Sequence, residues 1–256
     1  MAEQDLLYRV ENRVAYLTIN RESKRNSISA DVTVLFFKYL DDAEKDQNVR
    51  AVCITGAGEK AFCAGADLGT STTSDDQDGF QNYADLLKRI AAFPKPTVAR
   101  VNGYCLAGGT GFMLACDIVI AADNARFGTP EVNVGLFPMM IGALIFRNVT
   151  RKKAMEMALL GEKLTAAQAL EMGMLTRVVP ADALDEEVDK VLQILSAKSP
   201  IGMKIGKQAF YKMADMPFEE AVDYLSQQLK AVVATEDAKE GITAFIEKRA
   251  PNFSGK

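Results

Sequence analysis

The chain of 256 residues contains no histidine. That absence removes Ser-His-Asp and Cys-His catalysis and every imidazole-ligated metal site. Acid–base chemistry is left to carboxylates, Lys, Tyr or Cys. Cysteine is sparse, at positions 53, 63, 105 and 116, and the spacings fit no zinc pattern. Three of the four lie in apolar segments, so reduced, mostly buried thiols are expected. No apolar run approaches the roughly 18 residues of a membrane span. The opening residues, MAEQDLLYRV, lack the basic region and apolar core of a secretory signal. A cytoplasmic protein with no membrane partner is therefore expected. Positive charge is short as well: 30 Lys and Arg against 34 Asp and Glu leave a net charge of −4. This balance disfavours a nucleic-acid partner and requires a local basic patch for any anionic ligand. There is no internal repeat of fixed period and no low-complexity segment.

What is present is ordinary for a globular domain: 48% hydrophobic and 25% charged residues. Residues 8–20 alternate around a turn at Glu11-Asn12, as in a hairpin. Ser29 is placed to cap a helix with Val32, Leu35, Phe36 and Leu40 on one face. A strand is predicted at 50–55, and the polar, acidic stretch 69–79 reads as a mobile loop. A helix follows with Tyr83, Leu86, Leu87 and Ile90 on one face, ended by Pro94 and Pro96. Further strands are expected at 97–101 and 118–121. Strand–turn–helix units in succession imply an α/β fold with parallel sheet and right-handed crossovers. Thr165 to Gln168 fits a capping box, and Gly173 a helix stop. From about residue 182 the chain reads as helix. Ser199-Pro200 opens one helix, and Pro217 another with Phe218, Val222, Leu225 and Leu229 inward.

Two stretches carry chemistry. Val101 to Asp117, VNGYCLAGGTGFMLACD, is a strand that enters an apolar helix through Ala107-Gly108-Gly109. Such a corner leaves backbone N–H groups free at the helix start, with a dipole that favours an anion or a carbonyl oxygen becoming one. Lys60 to Leu68, KAFCAGADL, is a second strand-and-glycine corner.

Together these stretches resemble the paired signature of the crotonase superfamily, the enoyl-CoA hydratase/isomerase family. The likeness extends to Ile19-Asn20-Arg21, Lys24-Arg25-Asn26, Phe127 to Gly135, Gly161 to Pro180, and Phe245 to Arg249. It implies a spiral of ββα turns over residues 1–195 and a C-terminal helical oligomerisation region over 196–256. It implies homotrimers, or hexamers as dimers of trimers. The substrate would be an acyl-CoA thioester, with no cofactor beyond that CoA and no metal. Two backbone N–H groups, of Ala66 and Gly108, would hold the thioester carbonyl, with Ala64 and Asp67 flanking the first. Removing a proton beside that carbonyl puts negative charge on its oxygen, and one such donor is typically worth roughly 10²–10³ in rate. Lys24, Arg25 and Lys60 match basic positions near the nucleotide of CoA. Phe245 and Lys248 match positions that reach a neighbouring subunit's CoA.

Hydratases of the family use two glutamates to hold a water and move its proton. One, in a Pro-Glu, is present here as Pro130-Glu131; the other position is Gly111. The run after Gly135, Phe137-Pro138-Met139-Met140-Ile141, is bulky where hydratases are small, and it predicts an oily acyl wall that includes Met139. Both departures favour moving one proton along the acyl chain, as the family's 3-enoyl to 2-enoyl isomerases do, with Glu131 as the single acid–base. An apolar surround should raise its pKa. Hydration stays open with an altered acid set, drawn from Asp75, Asp76 or Asp78 or from a bound anion beside Gly111. A non-catalytic acyl-CoA-binding protein on the same fold is the remaining alternative.

Overall fold

The expected hairpin is β1 (Leu6–Glu11) paired antiparallel with β2 (Val14–Ile19), and it turns on Asn12 and Arg13. The computed structural model describes residues 4–67 and 77–256. Ser29 caps α1 (Ala30–Lys45), its Oγ accepting from the Val32 N–H at 3.2 Å. Then three similar turns follow. β3 (Ala51–Gly56) leads into β4 (Ala61–Cys63) and α2 (Gln77–Ala91). β5 (Thr97–Val101) leads into β6 (Tyr104–Leu106) and α3 (Gly108–Ala115). β7 (Ile118–Ala122) leads into β8 (Arg126–Gly128), a short 3-10 turn at Pro130–Val134, and α4 (Met139–Asn148). The chain continues through α5 (Arg151–Leu160), β9 (Leu164–Thr165), α6 (Ala166–Glu171) and β10 (Arg177–Val179). It ends in α7 (Leu184–Ser196), α8 (Pro200–Met213), α9 (Phe218–Val233) and α10 (Glu236–Glu247).

Each of the three turns sends its first strand to one sheet and its second strand to another. The large sheet runs β1-β2-β3-β5-β7-β10 and the small one β4-β6-β8-β9. β3, β5 and β7 are mutually parallel, as are β4, β6 and β8. This is the ββα spiral expected from the sequence. It stacks the strand-to-helix corners of successive turns one over the other, which is what positions the site.

The central strands are apolar along their whole length because both faces of the sheet are covered. Val52, Ile54, Ala99 and Val101 face the main core beneath the helices of the spiral. Alternate residues Cys53, Val98 and Ile120 face a second core with Leu184, Val188, Val191 and Leu192 of α7. All four cysteines are free and buried. The capping box forms at α6, with Thr165 and Gln168 each bonding the other's backbone N–H.

One expectation fails. The apolar stripe of α9 does not turn inward: Phe218 is 82% exposed and Leu229 62%, Val222 is also exposed, and the buried residue of the helix is Ala221. Periodicity reveals that a helix has an apolar face but not what covers it. The stretch 69–76, including Asp75 and Asp76, lies outside the described residues, while 77–79 form the start of α2. No helix among the described residues is long and apolar enough to cross a membrane.

Candidate active site

The two glycine corners meet. Ile28 N–H donates to the Gly65 carbonyl at 2.8 Å, and Asp67 N–H donates to the Ile28 carbonyl at 2.9 Å. That single parallel bridge uses the groups flanking Ala66, so the Ala66 N–H points to the opposite side. Gly65 has φ +95°, and a Cβ there would lie 2.7 Å from Ala107 Cβ and 3.3 Å from Gly108 N. Only glycine permits this approach. On the other side, Ala107 is the N-cap of α3 at φ 49°, ψ −124°, a sparsely populated conformation for a residue with a side chain. It is held by its own N–H on the Gly128 carbonyl at 2.9 Å, and Thr110 Oγ1 bonds that same carbonyl at 3.2 Å. Gly108 opens α3, so its N–H has no partner within the helix. The Ala66 and Gly108 donors expected from the sequence therefore stand at one junction, backed by the positive end of α3.

Glu131 reaches this junction through register. Gly128 pairs with Leu106 across β8 and β6, so the 3-10 turn that follows lies beside the start of α3. Glu131 is half-buried, and its Oε2 is fully buried with no hydrogen-bond partner among the described residues. Burial raises its carboxyl above the usual value of 4.5, against a smaller opposing effect of its own backbone N–H. An orphaned buried carboxylate oxygen is costly in a folded protein, which makes Glu131 a candidate for the site's acid–base group.

The space beside Gly111 is full. A Cβ at this position would overlap Tyr83 Oη, would sit 2.6 Å from Ile141 Cγ2 and would touch Leu87 Cδ2 at 3.2 Å. Tyr83 comes from α2 and donates its hydroxyl to the Gly108 carbonyl at 2.6 Å. Its ring lies 5.5 Å from that of Phe112. Burial raises its phenol well above 10, with the nearby Cys63 and Glu131 adding in the same direction. Sequence reasoning placed Tyr83 on an apolar helix face and assigned it no role. A lone hydroxyl on such a stripe could have been noticed, but nothing in the sequence directs it at residues 108 and 111.

The remaining expected site residues fall as follows. Arg25 adopts a left-handed turn after Lys24, and both side chains are exposed. The Ala64 N–H donates to the Arg25 carbonyl at 3.1 Å. Asn26 is buried, and its Nδ2 donates to the carbonyls of Ala57 and Ala61 at 3.0 and 2.7 Å. This turn is thereby fastened to the first corner, which exposed Lys60 precedes. Asp67 is buried, and its Oδ2 accepts from Arg21 Nη2 at 2.8 Å. Arg21 also bonds the Ser27 carbonyl at 2.7 Å, so Asp67 holds the corner's frame. The expected oily wall divides: Ile141 is buried against position 111, whereas Phe137 and Met139 are exposed. Asp78 is exposed in the first turn of α2. Phe245 is exposed, and Lys248 ends α10 in a left-handed conformation, distant in sequence from both corners.

The thiols are not candidates for chemistry. Burial pushes Cys63 up to about 12, and Cys105 well above its usual value, which removes the thiolate needed for reaction.

Comparison with known proteins identifies the family. Residues 9–256 match the family model described as enoyl-CoA hydratase/isomerase. A 2,3-dehydroadipyl-CoA hydratase of Escherichia coli (strain K12) is 34% identical over 254 residues, covering 98% of this chain and 99% of the relative. An (E)-benzylidenesuccinyl-CoA hydratase of Thauera aromatica is also 34% identical, over 250 residues that cover 96% of this chain and 97% of the relative. A crystal structure of enoyl-CoA hydratase from Bacillus anthracis superposes with a TM-score of 0.94 at 30% identity, over 99% of this chain and all of that one. With likeness in sequence and fold running almost end to end, this chain belongs to the enoyl-CoA hydratase/isomerase family.

Proposed function

We propose that this family member isomerises 3-enoyl-CoA to 2-enoyl-CoA with Glu131 as its single acid–base. The thioester carbonyl lies between the N–H groups of Ala66 and Gly108. Glu131 takes a proton from C2, the C2–H electron pair moves into an enolate held by the two donors, and the same carboxyl returns the proton at C4. The double bond moves from C3–C4 to C2–C3, and nothing else is consumed or released. A raised carboxyl pKa suits a group that must both accept and give a proton within one cycle. The observation that carries this reading is the pairing of a Glu131 Oε2 that has no hydrogen-bond partner among the described residues with a Gly111 at which even an added Cβ would meet Tyr83 and Ile141.

CoA would be steered by Lys24, Arg25 and Lys60 on the exposed rim, because the overall charge is negative. Self-association as a trimer or dimer of trimers is supported by the uncovered apolar faces of α9 and α10. In such an assembly Phe245 and Lys248 would serve a neighbour's CoA.

The hydratase names of the relatives favour a second reading, addition of water to a 2-enoyl-CoA. The two relatives also act on different acyl groups at equal identity, so likeness at this level does not choose the acyl chain. The test offers 2-enoyl-CoA and 3-enoyl-CoA side by side in oxygen-labelled water, with Glu131→Gln as control. Rearrangement of the 3-enoyl ester without label, reduced about 10²–10⁴-fold by the substitution, supports isomerisation. Labelled 3-hydroxyacyl-CoA would establish hydration instead. Binding of both esters without turnover would leave an acyl-CoA-binding protein.

A further inference from the structure

We propose that Tyr83 is a positioning residue of this site. Its hydroxyl tethers the Gly108 end of the oxyanion corner and occupies the place that a side chain at position 111 would take. The inference rests on the reading of Ala66 and Gly108 as donors, and not on which enoyl ester is turned over.

Gly108 is the one oxyanion donor with no side chain to anchor it and no intrahelical partner for its N–H. It follows Ala107, whose backbone is in a sparsely populated conformation. A corner of this kind needs holding from outside, and Tyr83 Oη supplies the hold at 2.6 Å on the Gly108 carbonyl. The tyrosine is fixed in turn. Leu86, Leu87 and Ile90 of the same helix are buried in the main core, and its ring packs against Phe112 of α3. Because burial and the neighbouring charges keep the phenol protonated, it stays a donor at every working pH.

The second half of the argument is volume. A Cβ built on Gly111 overlaps Tyr83 Oη, and one built on Gly108 comes within 3.3 Å of it. The hydroxyl is thus wedged between the first and fourth residues of α3. Gly111 and Tyr83 are one feature: the glycine is small so that the phenol can reach the helix end. The same wedge, with Ile141, occupies the place where any side chain at position 111 would begin.

The test separates positioning from scaffolding. Acetoacetyl-CoA, a 3-ketoacyl thioester that enolises without further reaction, serves as probe through the ultraviolet band of its bound enolate. Tyr83→Phe keeps the ring in its core and removes only the tether. It should bind a saturated acyl-CoA as the parent protein does and melt at a similar temperature. Its bound-enolate fraction and its isomerisation kcat should each fall about tenfold or more, with KM little changed. Gly111→Ala displaces the hydroxyl from the other side and should give the same loss, so the inference survives poor folding of either variant. Equal enolisation and turnover in Tyr83→Phe and the parent would overturn it. So would the absence of any enolate band in the parent protein. A parent that enolises the probe in a Tyr83-dependent way but turns over no 3-enoyl ester would refute the proposed reaction and leave the role of Tyr83 standing.

Discussion

Glu131 shows how one residue links chemistry to stability. Its folded pKa is raised by burial, so the folded state binds its proton more tightly than the unfolded state does. The stability it contributes is full at pH below the ordinary carboxylate range and is lost as pH rises through the elevated value. Thermal melts across acid to neutral pH should therefore show Glu131→Gln melting above the parent near neutrality, with the gap closing in acid. A variant that melts lower at neutral pH would contradict a carboxylate whose Oε2 is buried without a partner among the described residues. In the proposed reaction the sign reverses, because the base form of Glu131 would be needed at the start of the cycle. The acid limb of kcat/KM should lie above the ordinary 4.5. Gly111→Glu tests the other side of the pocket. Overlap with Tyr83 and Ile141 should destabilise the fold by about 1–3 kcal/mol, and labelled water should reveal no gain of hydration. Thiol alkylation is a simpler check: with Cys53 and Cys63 both pushed up to about 12 and buried, the native protein should label far more slowly than the denatured one.

Among the elements, the turn at Arg25-Asn26 deserves the decisive experiment. Asn26 sits at φ 55°, a conformation asparagine tolerates better than most residues. Its side chain bonds two carbonyls and accepts from the Arg21 N–H at 3.0 Å. Asn26→Leu would take the side-chain partner from the Ala57 and Ala61 carbonyls and from the Arg21 N–H, and a loss of about 2–4 kcal/mol in denaturant melts is expected. Asn26→Asp has the same shape but no donor. It should be similarly damaging, and an undamaged aspartate variant would show that shape rather than hydrogen bonding holds the turn. Local signals of this kind were readable in advance. Ser29, the Thr165–Gln168 box and Ser199 all cap the helices expected of them, because a cap involves residues within one turn of each other. The stripe on α9 is equally readable as a stripe, but its residues Phe218, Val222 and Leu229 are exposed, because facing inward or outward is not a local property.

For the whole molecule, the uncovered apolar surface carries the prediction. Phe218, Leu229, Phe245 and Ile246 are all exposed in the single chain, and patches of this kind mark contact sites. Light scattering should find an assembly larger than one chain. Phe218→Asp combined with Leu229→Asp should shift it toward the monomer, and an unchanged assembly would place the contact elsewhere than α9. A parent protein that is monomeric at all concentrations would rule out the proposed contacts of Phe245 and Lys248 with a neighbour's CoA.

The sequence by itself determined the family, the two glycine corners, the hairpin, the strands at 50–55, 97–101 and 118–121, the capped helices, and the departure at Gly111. Those features are written in residue type and short spacing, where backbone sterics and hydrogen bonding act within a few residues. Only the tertiary structure decided that the corners touch through Gly65 and Gly108, that Asp67 is drawn into the ion pair with Arg21, and that a tyrosine from a different turn of the spiral fills the place beside Gly111. These contacts join residues about 20 to 50 positions apart. Their partners are chosen by how the ββα turns stack, which no local pattern along the chain encodes.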